Sequence, residues 1–170
     1  MEHLIVERRY SIVTNYTTRN TLLHNACRDM NIEKLKFLIE ECRVNPQSAV
    51  NKFGDTLIHA FSSSAWQPID FNILSFLCDR GSDSFQCNAF SHNPLEVAII
   101  SEHKKSTVSI VRYLAKRFSR YATMLKTTNS HVLEMVYQHW NDELIKYLIV
   151  DIGCDIMLPS GDTLLHRACR

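Results

Sequence analysis

The sequence predicts an all-α protein assembled from stacked helix–turn–helix units, and three observations carry that expectation. The phrase Thr21-Leu22-Leu23-His24-Asn25-Ala26-Cys27-Arg28 returns almost verbatim as Thr163-Leu164-Leu165-His166-Arg167-Ala168-Cys169-Arg170. A third copy, Thr56-Leu57-Ile58-His59-Ala60, begins 35 residues after the first, and self-similarity at a period of roughly 20 to 50 residues marks repeat architectures. Between the copies, apolar residues recur at helical spacing, in pairs of short runs divided by polar turn residues.

In chain order, residues 1–19 are too short for a whole unit, and Leu4, Ile5 and Tyr10 ahead of the polar Thr14–Thr18 stretch read as an N-terminal half-cap. A first repeat spans about 20–52: Leu22, Leu23 and Ala26 form one short helical face, Asp29-Met30-Asn31 breaks it, and Leu35, Leu38 and Ile39 resume it. Asn45-Pro46 ends the second helix, and Asn51-Lys52-Phe53-Gly54-Asp55 supplies turn chemistry, with Gly54 free to take positive φ. The second repeat, 53–90, places Ile73, Leu74 and Leu77 on its second helix, with Gly81 as a C-terminal cap and a hairpin-like Asn88–His92 tip. The third, 91–128, opens with Pro94 in a first helical turn, where its missing N–H costs nothing, and continues through Val97 and Ala98 to Val108, Val111 and Leu114. The fourth, 129–160, is the most eroded, from His131 to Leu148. Residues 161–170 read as a fifth repeat cut off inside its first helix, so the whole of 1–170 is expected to be one repeat domain.

This grammar resembles the ankyrin repeat, in which an Asp/Asn-Gly hairpin tip precedes T-P-L-H-x-A-A, a turn and a second helix that closes on a G-A-D-x-N-like phrase. Gly54-Asp55-Thr56-Leu57-Ile58-His59 and Gly161-Asp162-Thr163-Leu164-Leu165-His166 carry the resemblance, with Gly81-Ser82-Asp83 and Gly153-Cys154-Asp155 in the closing position. The resemblance implies an ankyrin-type solenoid with short hairpin-like connections. It also implies that the Thr21/His24, Thr56/His59 and Thr163/His166 pairs are structural, hydrogen-bonding to fix the start of each first helix and to tie neighbouring repeats. The sequence departs from the pattern at Glu96 and Glu134, where the family has His, and at Met30 and Trp140, where it has a turn glycine.

Spacing adds one inference. From the Thr position to the second-helix Leu is 17 residues in the first and fourth repeats but 21 in the second and third. The additions fall at 62–70, which includes Trp66, and at 101–107, which includes Lys104 and Lys105. Insertions at one phase of a solenoid land on one face, often the binding face, so a two-fingered protrusion is expected on the edge away from the tips.

The chemistry is bland. A catalytic histidine would be unique, whereas His24, His59 and His166 are periodic. The H-x-x-C pairs His24/Cys27 and His166/Cys169 lack the second ligand pair that tetrahedral zinc requires, and no nucleophile elbow, phosphate loop or H-E-x-x-H is present. The expectation is no enzyme, no cofactor and no metal. Five of the six cysteines lie among apolar residues, where a reduced thiol serves as a small core side chain, so a reducing compartment is expected. No apolar stretch approaches the ~18 residues of a membrane span, and charge interrupts the first residues as it would not in a secretory signal. A cytoplasmic protein is expected, with the nucleus as the alternative.

Net charge is +1, so no global field draws the chain to nucleic acid or membrane. Locally, residues 53–102 hold one basic and six acidic side chains, while 103–133 hold seven basic and none acidic. With Val108, Val111 and Leu114 interleaved at helical spacing, the basic run reads first as a solvated helix face, then as a surface for an acidic protein, and last as a nucleic-acid footprint.

The expected function is therefore binding: an adaptor, scaffold or inhibitor that meets a protein partner through repeat tips and first helices. Candidate contacts are Arg28, Asp29, Lys52, Phe53, Phe90, His92, Gln138 and His139 from tip and helix positions, with Trp66, Lys104 and Lys105 from the lengthened turns. Two alternatives stand beside it: a targeting module of a larger enzyme or ubiquitin ligase assembly, and nucleic-acid binding through 103–133.

Overall fold

In a computed structural model, which describes residues 13–15, 17–64, 68–101, 104–127, 131–139 and 141–154, the chain is mostly helical. The one pair of strands among the described residues is short: β1 (Val13–Asn15) runs antiparallel to β2 (Asn20–Thr21), with Val13 opposite Thr21. The chain forms two compact units, divided between Val97 and Ala98. The C-terminal copy of the repeated phrase, with Thr163, His166 and Cys169, lies outside the described residues, as do Trp66 and Trp140.

In the first unit, Thr21 caps α1 (Leu22–Arg28), which buries Leu23, His24, Ala26 and Cys27. Met30 turns the chain at φ 51°, the left-handed region that costs a non-glycine residue about 1–2 kcal/mol, and it does so where the repeat pattern that the sequence resembles has a glycine. Asn31 then caps α2 (Ile32–Lys36), accepting the Lys34 N–H at 2.8 Å. That helix widens into a π-helical turn, Phe37–Glu41, so that Leu35, Leu38 and Ile39 all face inward. A short 3-10 turn follows at Pro46–Ser48.

The second pair of helices repeats the plan. All six residues of α3 (Leu57–Ser62) are buried, and it packs chiefly on α1. Helix α4 (Phe71–Asp79) starts at Asp70, whose carboxylate accepts the Asn72 N–H at 3.0 Å, and buries Ile73, Leu74 and Leu77. Glu40 and Arg80 form an ion pair on the surface, a contact of little weight in water. Helix α5 (Pro94–Ile100) spans the boundary between the units.

In the second unit, α6 (Lys104–Arg117) buries Val108, Ile110, Val111 and Leu114. After Phe118 the chain enters α7 (Ser119–Thr127), a helix that the sequence reading does not anticipate, with Tyr121 fully buried beneath it. Then come α8 (His131–Gln138) and α9 (Asp142–Lys146), the latter widening into a π-helical turn at Tyr147–Ile152.

Residues 31–44 and 141–154 share one local structure at a distance of 110 positions. Asn31 and Asn141 cap the N–H groups of Lys34 and Leu144. Leu35-Lys36-Phe37-Leu38-Ile39 and Ile145-Lys146-Tyr147-Leu148-Ile149 enter matching π-turns. Val44 donates to the Leu38 carbonyl at 3.0 Å, and Cys154 to the Leu148 carbonyl at 2.9 Å. The left-handed residue that allows this closure is Arg43 in one copy and Gly153 in the other.

Among the described residues no helix is long and apolar enough to cross a membrane, and Cys27, Cys42, Cys87 and Cys154 are free thiols. Cys27 is wholly buried, and that burial pushes its thiol far up from the ordinary range, leaving an inert core group rather than a nucleophile.

Candidate interaction surface

The tips of the first unit are built by asparagine. Asn51 Oδ1 accepts the N–H groups of Phe53 and Asp55, both at 2.9 Å. Asn88 Oδ1 accepts those of Phe90 and His92 at 3.0 and 3.1 Å. Each tip is closed by a backbone bond across it, Asn51 to the Asp55 carbonyl at 3.1 Å and Asn88 to the His92 carbonyl at 2.9 Å. The chain reverses through a left-handed residue in the same place, Gly54 at φ 76° and Ser91 at φ 62°. Asparagine suits the task because its short amide closes such turns locally.

The tips are also laddered to one another. Lys52 N–H donates to the Thr18 carbonyl at 3.0 Å, and Ala89 N–H donates to the Phe53 carbonyl at 2.8 Å. Side chains repeat the register: Asn51 Nδ2 donates to Asn20 Oδ1 at 2.9 Å, and Asn88 Nδ2 to Asp55 Oδ1 at 2.8 Å. Gly54 is fixed by this closeness as well as by its φ, since a Cβ there would lie 2.7 Å from the Ala89 nitrogen.

The repeated Thr–His pairs brace the ladder from beneath. His24 Nδ1 lies 3.2 Å from the Thr21 N–H and 2.8 Å from its hydroxyl, while Nε2 lies 3.0 Å from the Asp55 carbonyl in the next tip. His59 copies this, with Nδ1 at 3.1 and 2.9 Å from the Thr56 N–H and hydroxyl and Nε2 at 3.0 Å from the His92 carbonyl. A carbonyl only accepts, so Nε2 carries the proton and Nδ1 the lone pair. Burial lowers the pKa of both imidazoles, and their carbonyl partners and the Asp55 charge only partly oppose it. Both rings therefore belong in the neutral form that the geometry needs.

The third helix start differs. Asn93 Oδ1 accepts the N–H groups of Leu95 and Glu96 at 3.0 and 3.1 Å, and Glu96 returns the favour by accepting the Asn93 N–H at 2.8 Å. This is a complete capping box. The carboxylate, unlike an imidazole, has no N–H with which to reach a further carbonyl.

On the outside of the ladder the Phe53 and Phe90 rings meet, 6.0 Å apart between centroids and tilted by 30°, within the range of favourable aromatic pairs. The His92 ring lies 6.5 Å from that of Phe90. Phe53 is half-buried, whereas Phe90 is 61% exposed. Lys52 is exposed beside them.

The structure thus brings together Lys52, Phe53, Phe90 and His92. Arg28 and Asp29 are exposed at the far end of α1 from the tips, about 10 Å along a helix of that length. Gln138 and His139 are exposed at the end of α8 in the second unit. Lys104 and Lys105 open α6, but their side chains, like Trp66, lie outside the described residues; both lengthened turns are described only in part. The sequence reading places Asn51 and Asn88 in turns without giving them the closure of the tips, and it misses Arg19. The signal for the first two was present, since Asn-x-Phe stands five residues before Thr56 and again five before Asn93.

The second unit offers a groove of about 350 Å³ between α6 and α9. Its lining sets Arg112 and Lys146 against Glu143 and Asp151, and the Arg112 guanidinium lies 4.8 Å over the Tyr147 ring. No three His, Cys, Asp or Glu side chains among the described residues come together as a metal-holding group. A scan against protein-family models finds no match to this chain, and a search of the curated proteins finds none either.

Proposed function

We propose that the chain is an ankyrin-type repeat protein, without catalytic activity, that binds a partner protein through the tips of its first unit. One observation carries the reading. An aromatic pair, Phe53 half-buried and Phe90 exposed, stands on a backbone tied by repeated hydrogen bonds to its neighbours and to two buried histidines. Aromatic side chains held rigid supply large contact area with little entropy left to lose on binding. The matched Thr–His braces and the shared structure of 31–44 and 141–154 support the repeat assignment. The same surface would serve an adaptor, a scaffold, an inhibitor or the targeting module of a larger enzyme assembly; the identity of the partner separates these.

The test is a photoreactive phenylalanine analogue placed at position 90, compared with the same group at Val150, which is 70% exposed in the second unit. In source cells, position 90 should yield a discrete protein adduct and position 150 should not. Equal adducts from both positions, or none from position 90, would contradict the tip surface.

A further inference from the structure

We infer that the tip surface is built for an acidic peptide segment, one in which carboxylate side chains flank an aromatic or large aliphatic residue. This deepens the binding role proposed above and rests on it. The ladder has a chemical gradient along its length. Its first rung presents Arg19, exposed and held at φ 55°. The second presents Lys52, whose N–H bond to the Thr18 carbonyl sets it beside Arg19, followed by Phe53. The third presents Phe90.

The one carboxylate on these rungs, that of the half-buried Asp55, is engaged by the ladder's own amides. Asp55 receives the Asn88 amide on Oδ1 at 2.8 Å and the Asn51 amide on Oδ2 at 3.2 Å. Arg19 and Lys52 form no ion pair among the described residues, whereas Arg80 does. Two cations therefore stand next to an apolar pair with no exposed acid between them among the described residues, and charge complementarity selects an acidic partner.

Nucleic acid would also meet cations and aromatic rings, but the geometry favours a peptide. Bases stack on open ring faces, whereas Phe53 and Phe90 spend facing area on each other and Phe53 is half-buried. Two cations are also few beside the roughly six to ten phosphate contacts of salt-sensitive nucleic-acid binders.

The experiment selects a displayed random-peptide library on the immobilised full chain and then measures binding of a synthetic selected peptide. Wild type, the pair Arg19→Glu/Lys52→Glu and Phe90→Ala are compared, each checked for an unchanged thermal melt; Arg19→Gln/Lys52→Gln replaces the reversal if that variant unfolds. Selected peptides should carry Asp or Glu beside Phe, Trp or Leu, and the charge pair and Phe90→Ala should each weaken binding about tenfold. Peptides without acidic residues, lost with Phe90→Ala but indifferent to the charge pair, would overturn this inference and leave the tip surface standing. No specific peptide, or peptides indifferent to all variants, would overturn the tip surface and the inference with it. Binding of an oligo(dT) of about 20 nucleotides that the charge pair abolishes, with no acidic peptide recovered, would overturn it in favour of nucleic acid.

Discussion

The starts of α1 and α3 and the start of α5 solve the same local problem with different side chains. All three close a capping box three residues into the helix, but His24 and His59 also reach the carbonyl of the following tip, while among the described residues Glu96 closes on Asn93 alone. Capping a helix and tying it to its neighbour are separable functions. Histidine performs both because its two nitrogens lie on different edges of one ring, one accepting and one donating. Where only the cap is needed, a carboxylate suffices.

The largest effect should come from removing the double role. His59→Ala loses the cap, the tie and a buried ring, and should cost about 3 kcal/mol, against about 1–2 kcal/mol for Glu96→Ala, as measured by chemical denaturation of the full chain. Equal losses at the two positions would break the comparison. Gly54→Ala should cost about 2 kcal/mol, because it puts a Cβ against the Ala89 nitrogen and forces a positive φ on a residue that avoids it.

The pH dependence follows from the depressed histidines. Their folded pKa values lie below the ordinary 6.5, so below about pH 6.5 the unfolded chain binds more protons than the folded one. Stability from this source is full above that pH and falls as pH drops towards the depressed folded values, by at most about 1.4 kcal/mol per pH unit for each ring. In His24→Gln/His59→Gln, where Gln still closes a capping box, that part of the slope should vanish while the variant remains folded; a slope unchanged in the variant would assign it elsewhere. The smallest expected effect is a gain. Ser91→Gly places glycine at φ 62° in the position that Gly54 holds in the preceding tip, and the melting temperature should rise by an amount corresponding to about 0.5–1 kcal/mol.

Much of this was legible in the sequence. The phase of Thr21/His24 and Thr56/His59 marked scaffold rather than chemistry, and the same phase put Phe53 and Phe90 on tips. Periodicity does not report what depends on through-space partners. That Phe53 would meet Phe90, or that Asn88 would reach Asp55, follows from how tips stack. Helix α7 was hidden because its buried face, Tyr121 and Leu125, is thin and its remaining residues, Ala122 and Met124 apart, are polar or basic. The π-helical turns were hidden because a widened turn keeps the apolar pattern of an ordinary helix for a few residues before departing from it. Left-handed Met30, Arg43 and Ser91 carry no glycine to announce them.

The central claim is that the repeated Thr–His pair is a neutral brace between one helix start and the next tip. Long-range 1H–15N NMR of the imidazole rings in the full chain tests it most directly. At about pH 7, His24 and His59 should both be neutral, with the proton on Nε2 and that N–H protected from exchange. A proton on Nδ1, an imidazolium, or a freely exchanging Nε2–H at either residue would contradict the account.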